Sequence, residues 1–139
     1  MLSWLRKFAM RAPRLEDPTF GTLTYMGGYW EGAGQFPPTK DAVEYFVTAD
    51  EHGPTDANRD AFRFICAHYP ELEIGARAAI SAAIDDAAAG NALFISSLDV
   101  PAGDMGSTTW EISFSDAAGA LFSVEFRGLE ATGNVEVSR

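Results

Sequence analysis

Apolar side chains alternate with polar ones near both ends of this chain, and between those regions they recur at the spacing of a helix. Trp110, Ile112 and Phe114 are interleaved with Glu111, Ser113 and Ser115, and Phe122, Val124 and Phe126 with Ser123, Glu125 and Arg127. A period of two puts one side of a strand in a core and the other in water. Asp116-Ala117-Ala118-Gly119 joins these two runs as a turn, and Val135 and Val137 continue the pattern after Thr132-Gly133-Asn134. Nearer the start, Phe20 to Met26 and Tyr29 to Phe36 flank Gly27-Gly28. That is a hairpin signal, because a two-residue primed turn needs positive φ. Trp30, Gly32, Gly34 and Phe36 share one face, so the glycines leave a gap between two aromatics that a neighbour must fill. Pro37-Pro38 then turns the chain into a third strand over 42–49, with Val43, Tyr45 and Val47 on one side.

The middle is helical. Thr55 or Asp56 can cap a first helix whose apolar positions are Ala57, Ala61, Phe64, Ile65 and His68. Pro70 ends it and suits the first turn of a second helix. There Leu72, Ala76, Ala79, Ile80, Ala83, Ile84 and Ala87 form a narrow stripe of mostly small residues, which Gly90-Asn91 stops. Leu93-Phe94-Ile95 is open between a buried strand and an extended connection, and Pro101 to Gly106 is loop. Strands, two helices, then strands describe an α+β protein: an antiparallel sheet of about five or six strands with both helices on one face. Residues 1–16 form a basic tail, amphipathic or disordered, and 17–139 one domain.

At 139 residues such a domain buries roughly 70% of its unfolded surface. The 47% hydrophobic and 22% charged residues belong to an ordinary globular protein. No apolar run reaches the length of a membrane span and the first residues lack a signal-peptide h-region, so a cytoplasmic location is expected. One cysteine excludes an internal disulfide.

Charge alters the picture more. Arg6, Lys7, Arg11 and Arg14 make the tail basic, whereas the remaining six basic residues face all 20 acids, a net of −14 on the body. Such a body repels phosphate, so nucleic acid is not its partner, and it attracts basic proteins. Catalytic chemistry is scarce. Cys66 and His68 lie two apart on a helix and cannot face each other. His52 with Asp50 or Glu51 falls short of a metal set. Gly32-Ala33-Gly34 is no dinucleotide fingerprint, and no phosphate loop or nucleophile elbow occurs. No cofactor is expected.

Asp17-Pro18-Thr19-Phe20-Gly21-Thr22-Leu23, then Tyr29-Trp30-Glu31-Gly32 and the strand Val43-Glu44-Tyr45-Phe46-Val47, resembles a group of uncharacterised bacterial domains. Their pattern is Asp-x-x-Phe-Gly-x-Leu, a Trp-x-Gly, a strand, two central helices and a C-terminal hairpin. The resemblance implies small intracellular proteins, mostly non-enzymatic, some of them immunity proteins of toxin systems. The resulting expectation is a non-catalytic, protein-binding domain, with Asp50, Glu51, Asp99 and Asp104 as loop acids at the contact, together with Trp30. The alternative is a small ligand-binding domain or enzyme, its pocket lying between the Gly32/Gly34 gap and the helices and lined by Trp30, Tyr45 and Trp110.

Overall fold

A computed structural model describes residues 12–84 and 92–138. Residues 1–11 of the tail, and the stop at Gly90-Asn91, lie outside the described residues, whereas residues 14–16 of that tail belong to the first strand. The strands are β1 (Arg14–Asp17), β2 (Gly21–Tyr25), β3 (Tyr29–Gln35), β4 (Ala42–Thr48), β5 (Phe94–Val100), β6 (Thr109–Ser115), β7 (Leu121–Arg127) and β8 (Glu130–Ser138). The helices α1 (Asp56–Ala67) and α2 (Tyr69–Ile84) connect β4 to β5. All eight strands form one sheet in sequence order. Every pairing is antiparallel except the central one, β4 with β5, which is parallel. Two four-stranded meanders thus meet at a helical crossover, as parallel neighbours require a long connection.

The α+β class and the two-helix middle are as the sequence predicts, but among the described residues the sheet has eight strands rather than five or six. Three places account for the difference. β1 is only four residues long, directly follows Pro13 and reads in sequence as part of the tail, although it pairs with β2 along its whole length. β5 carries an irregularity between Ile95 and Ser97, so its buried residues Ile95, Leu98 and Val100 do not alternate evenly. β8 begins straight after a tight turn at Gly128, whose φ is 58°, and bulges opposite Val124 and Phe126. The parallel pair also departs from a purely antiparallel sheet.

Local chemistry places the elements. Gly27 and Gly28, with φ of 85° and 94°, make the first hairpin turn, and Met26 N–H bonds to the Tyr29 carbonyl at 2.8 Å. Thr55 caps α1 in a reciprocal box with Asn58, and Pro70 sits in the first turn of α2. One sheet face packs against the helices. Phe62 on α1 meets Phe20 and Tyr45 edge-on, with ring centres 5.2 and 5.3 Å away. Phe36 meets Tyr69 at the start of α2, and Trp110 stacks on Phe126. The Gly32/Gly34 gap is filled by neighbours. A Cβ on Gly32 would lie 2.6 Å from Leu23 Cδ2 and 2.8 Å from the Thr22 carbonyl oxygen, and one on Gly34 would lie 3.2 Å from the Tyr45 ring. The core side of those glycines is thus filled, and the space beside Gly32 is a shallow cleft of about 410 Å³ on the other sheet face, among Thr22, Thr24, Met26, Glu31, Ala33 and Glu44.

Candidate functional site

The carboxylate of Asp17 is the structural anchor of the N-terminal half. Its Oδ2 accepts the Thr19 and Phe20 amides at 2.9 and 3.2 Å, closing the turn before Gly21. Its Oδ1 accepts two bonds from Arg59 on α1, at 2.6 and 3.2 Å. Burial opposes the charge, but Arg59 and the two amides outweigh it and hold the group below its ordinary value. The Asp-x-x-Phe-Gly pattern thus owes its form to a turn that ties β1 and β2 to α1.

Near the start of α1, the buried Asn58 reaches into the sheet. Its Nδ2 donates to the carbonyls of Thr48 at 3.0 Å and Pro101 at 2.9 Å, while its Oδ1 accepts the Thr55 amide. These two carbonyls lie at the carboxyl ends of the parallel pair β4 and β5. Asn58 therefore clamps the spot where the strands diverge into their loops. The strand order does not reverse here, but the chain leaves β4 and β5 in different directions at that end and room opens between the loops. That spot holds a cleft of about 380 Å³, lined by Thr48, Asp99, Pro101, Asp104, Thr109, Trp110 and their loop neighbours.

Asp99 belongs to β5, not to the loop after it as expected. It lies on the sheet face opposite the helices, next to Phe46 in register on β4 and beside Glu111 on β6. Burial pushes its carboxyl up to about 6, helped by the charge of Glu111 and resisted by a hydrogen bond from the Glu111 amide. Glu111 in turn lies opposite Glu125 on β7, and its own carboxyl is raised by burial and by the charges of Glu136 and Glu125. Like charges side by side on a sheet cost stability, up to ~1 kcal/mol per pair. Glu31 and Glu44 extend the acidic face across β3 and β4. Among the described residues, none of Glu31, Glu44, Asp99, Glu111, Glu125 and Glu136 forms an ion pair. The face also carries the aromatic pair Tyr29 and Phe46, with ring centres 6.1 Å apart.

Of the residues singled out by sequence, Asp99 and Asp104 share the cleft. Asp104 Oδ1 accepts the Gly106 amide and so shapes the loop that forms the rim. Asp50 and Glu51 are exposed in the loop after β4, within 3.3 and 3.9 Å of His52 Nδ1, and do not line the cleft. These three groups cluster within 4.8 Å of one another, an exposed arrangement short of the ligand count that a firm metal site needs. Trp30 is 1% exposed and belongs to the core, where its indole N–H holds the Asp50 carbonyl at 2.7 Å. Tyr45 and Trp110 are likewise core residues. Cys66 is half-buried, and burial pushes its thiol up to about 11, which is wrong for a nucleophile. His68 caps α1, about 18 Å along that helix from the His52 loop.

Glu111, Glu125 and Glu136 are the residues that the sequence reading missed. Their signal is present: Glu111 and Glu125 each stand between two buried apolar residues on successive strands, and Glu136 stands between the half-buried Val135 and the exposed Val137. Only register shows that Glu111 and Glu125 face each other, while Glu136 pairs with Ser123 and acts on Glu111 through its charge. No described helix is long and apolar enough to cross a membrane. No family model matches the chain, and neither a curated protein nor a solved structure matches it.

Proposed function

We propose that this protein is a non-catalytic binding module whose acidic sheet face, uncovered among the described residues, engages a basic surface on another protein. The observation that carries this reading is the set of adjacent carboxylates on β5, β6 and β7, of which Asp99 and Glu111 are raised by burial and like-charge repulsion and none has a cationic partner among the described residues. Glu125 accepts bonds from Thr132 and Asn134, but the fold gains nothing by setting Asp99 beside Glu111, whereas an approaching cationic surface relieves them. Tyr29 and Phe46 on the same face supply the aromatic contact common in interface cores. The concrete form is an immunity-type inhibitor that covers a basic toxin or effector in the cytoplasm, as the sequence resemblance implies. Its contact lies on the sheet face, with Asp104 at one end.

The test is capture of partners from the source cell with wild-type protein and with Glu111→Lys/Glu125→Lys, at about 20 and about 300 mM NaCl. A basic protein held at low salt, weakened at high salt and lost by the double variant is the expected result. Capture that ignores both salt and charge reversal refutes the reading.

A further inference from the structure

The cleft at the ends of β4 and β5 is a second kind of feature from the flat face beside it. It is recessed, it has a volume near the lower bound of small-molecule sites, and Asp99 supplies a half-buried carboxylate to it. Its remaining lining is mixed: Thr48, Ser107, Thr108 and Thr109 are polar, Pro101, Ala102 and Trp110 are apolar, and Asp104 stands at the rim. Asp104 spends Oδ1 on the Gly106 amide, and among the described residues no hydrogen bond occupies Oδ2. Among the described residues, no basic residue lines the cleft. An anion is repelled there, and a neutral ligand leaves the carboxylate uncompensated. A divalent ion wants six or more oxygen ligands in a tight shell, and two carboxylates in an open cleft do not form one.

We propose that this cleft receives one cationic side chain of the basic partner, an ammonium or guanidinium group seated against the Asp99 carboxylate. The inference rests on the acidic-face reading and adds an anchor to it. Asp99 is the primary contact, and Asp104 Oδ2 with the threonine and serine hydroxyls satisfies the remaining N–H groups. Arginine suits this set better than lysine, since its planar fork can address Asp99 and the hydroxyl ring together. Burying a single cation at the end of a flat interface is how a few residues come to dominate affinity.

Two probes separate the anchor from the face. N-acetyl-arginine amide and N-acetyl-lysine amide each carry one cation, and octa-arginine is large enough to cover the face. Amide NMR of wild-type protein should show saturable shifts at Ser107, Thr108, Thr109 and Trp110 with the arginine probe, weaker shifts with the lysine probe, and none in Asp99→Asn. Calorimetry with octa-arginine at about 20 mM NaCl should give binding that falls roughly tenfold in Asp99→Asn and also falls in Glu125→Lys, which lies outside the cleft. If octa-arginine binds and responds to Glu125→Lys but not to Asp99→Asn, and the monomeric probes leave the cleft amides unmoved, the anchor is refuted and the face survives. If the monomeric probes fill the cleft and octa-arginine is indifferent to Glu125→Lys, the face is refuted and the cation site stands. Equal shifts with both monomeric probes overturn the preference for arginine.

Discussion

Replacing Asp99 with Asn should stabilise the folded protein at neutral pH and leave it unchanged in acid. The folded carboxyl is pushed to about 6 from an ordinary 3.8, with burial as the first cause and Glu111 as the second. A group raised in this way binds its proton more tightly in the folded than in the unfolded chain. Its favourable contribution is therefore complete below about pH 4 and is lost as pH rises through about 6. A rise from 3.8 to about 6 sets a ceiling of about 3 kcal/mol on the destabilisation at about pH 7. Asp99 keeps some contact with water at the cleft, so about 1–2 kcal/mol is the expected penalty. Asn removes the charge, preserves the shape and retains an oxygen for the Glu111 amide. Urea denaturation from about pH 4 to about pH 8 measures the effect directly. The variant should match wild type at the acid end and exceed it by about 1–2 kcal/mol at the alkaline end. A difference that does not change with pH, or a variant less stable at about pH 7.5, refutes the assignment of a strained carboxylate.

Other substitutions probe the scaffold. Asp17→Asn should lose about 3 kcal/mol, because Arg59 is left without its buried partner; its sign is opposite to that of Asp99, and in the same urea titration the loss should persist down to about pH 4, since a lowered carboxyl stabilises the fold above its unfolded value. Asn58→Ala strands the carbonyls of Thr48 and Pro101, and should cost about 2–4 kcal/mol by urea denaturation while loosening the cleft amides in hydrogen exchange. Lys40 has a φ of 67° in the turn before β4; Lys40→Gly should raise the melting temperature by relieving about 1 kcal/mol of backbone strain.

Much of the frame is legible in the sequence, because hairpins and helices announce themselves locally. Gly27-Gly28, the Thr55 cap, Pro70 and the alternation of Trp110 to Phe114 with Phe122 to Phe126 each contain their own cause within a few residues. β1 and β5 do not. β1 is a strand because β2 lies beside it, and its four residues carry no period long enough to recognise. β5 hides its alternation behind two serines at an irregular register. The site is harder for the same reason. Asp99, Glu111 and Glu125 are separated in sequence by whole strands and turns, and each alone is an ordinary solvent-facing acid. Their adjacency is a property of pairing, which neither composition nor periodicity encodes. The loop acids Asp50 and Glu51 stand out because they are neighbours in sequence, yet the cleft forms without them.

Asp17 and Asp99 show how the same side chain can be sorted into framework and working surface. Both are partly or wholly withdrawn from water. Asp17 has its charge matched by a guanidinium and two amides, its carboxyl is lowered, and removing it breaks a turn and a helix contact together. Asp99 has one amide and a negative neighbour, its carboxyl is raised, and the fold is better off without its charge. Stability alone accounts for the first and argues against the second. On the reading proposed above, a cation of the partner supplies the half of the interaction that Asp99 lacks among the described residues. On this ground the single substitution Asp99→Asn should move two measurements in opposite directions, raising unfolding free energy while lowering affinity for a cation. A framework carboxylate such as Asp17 has no route to that outcome, because its loss lowers stability and any binding that depends on the fold.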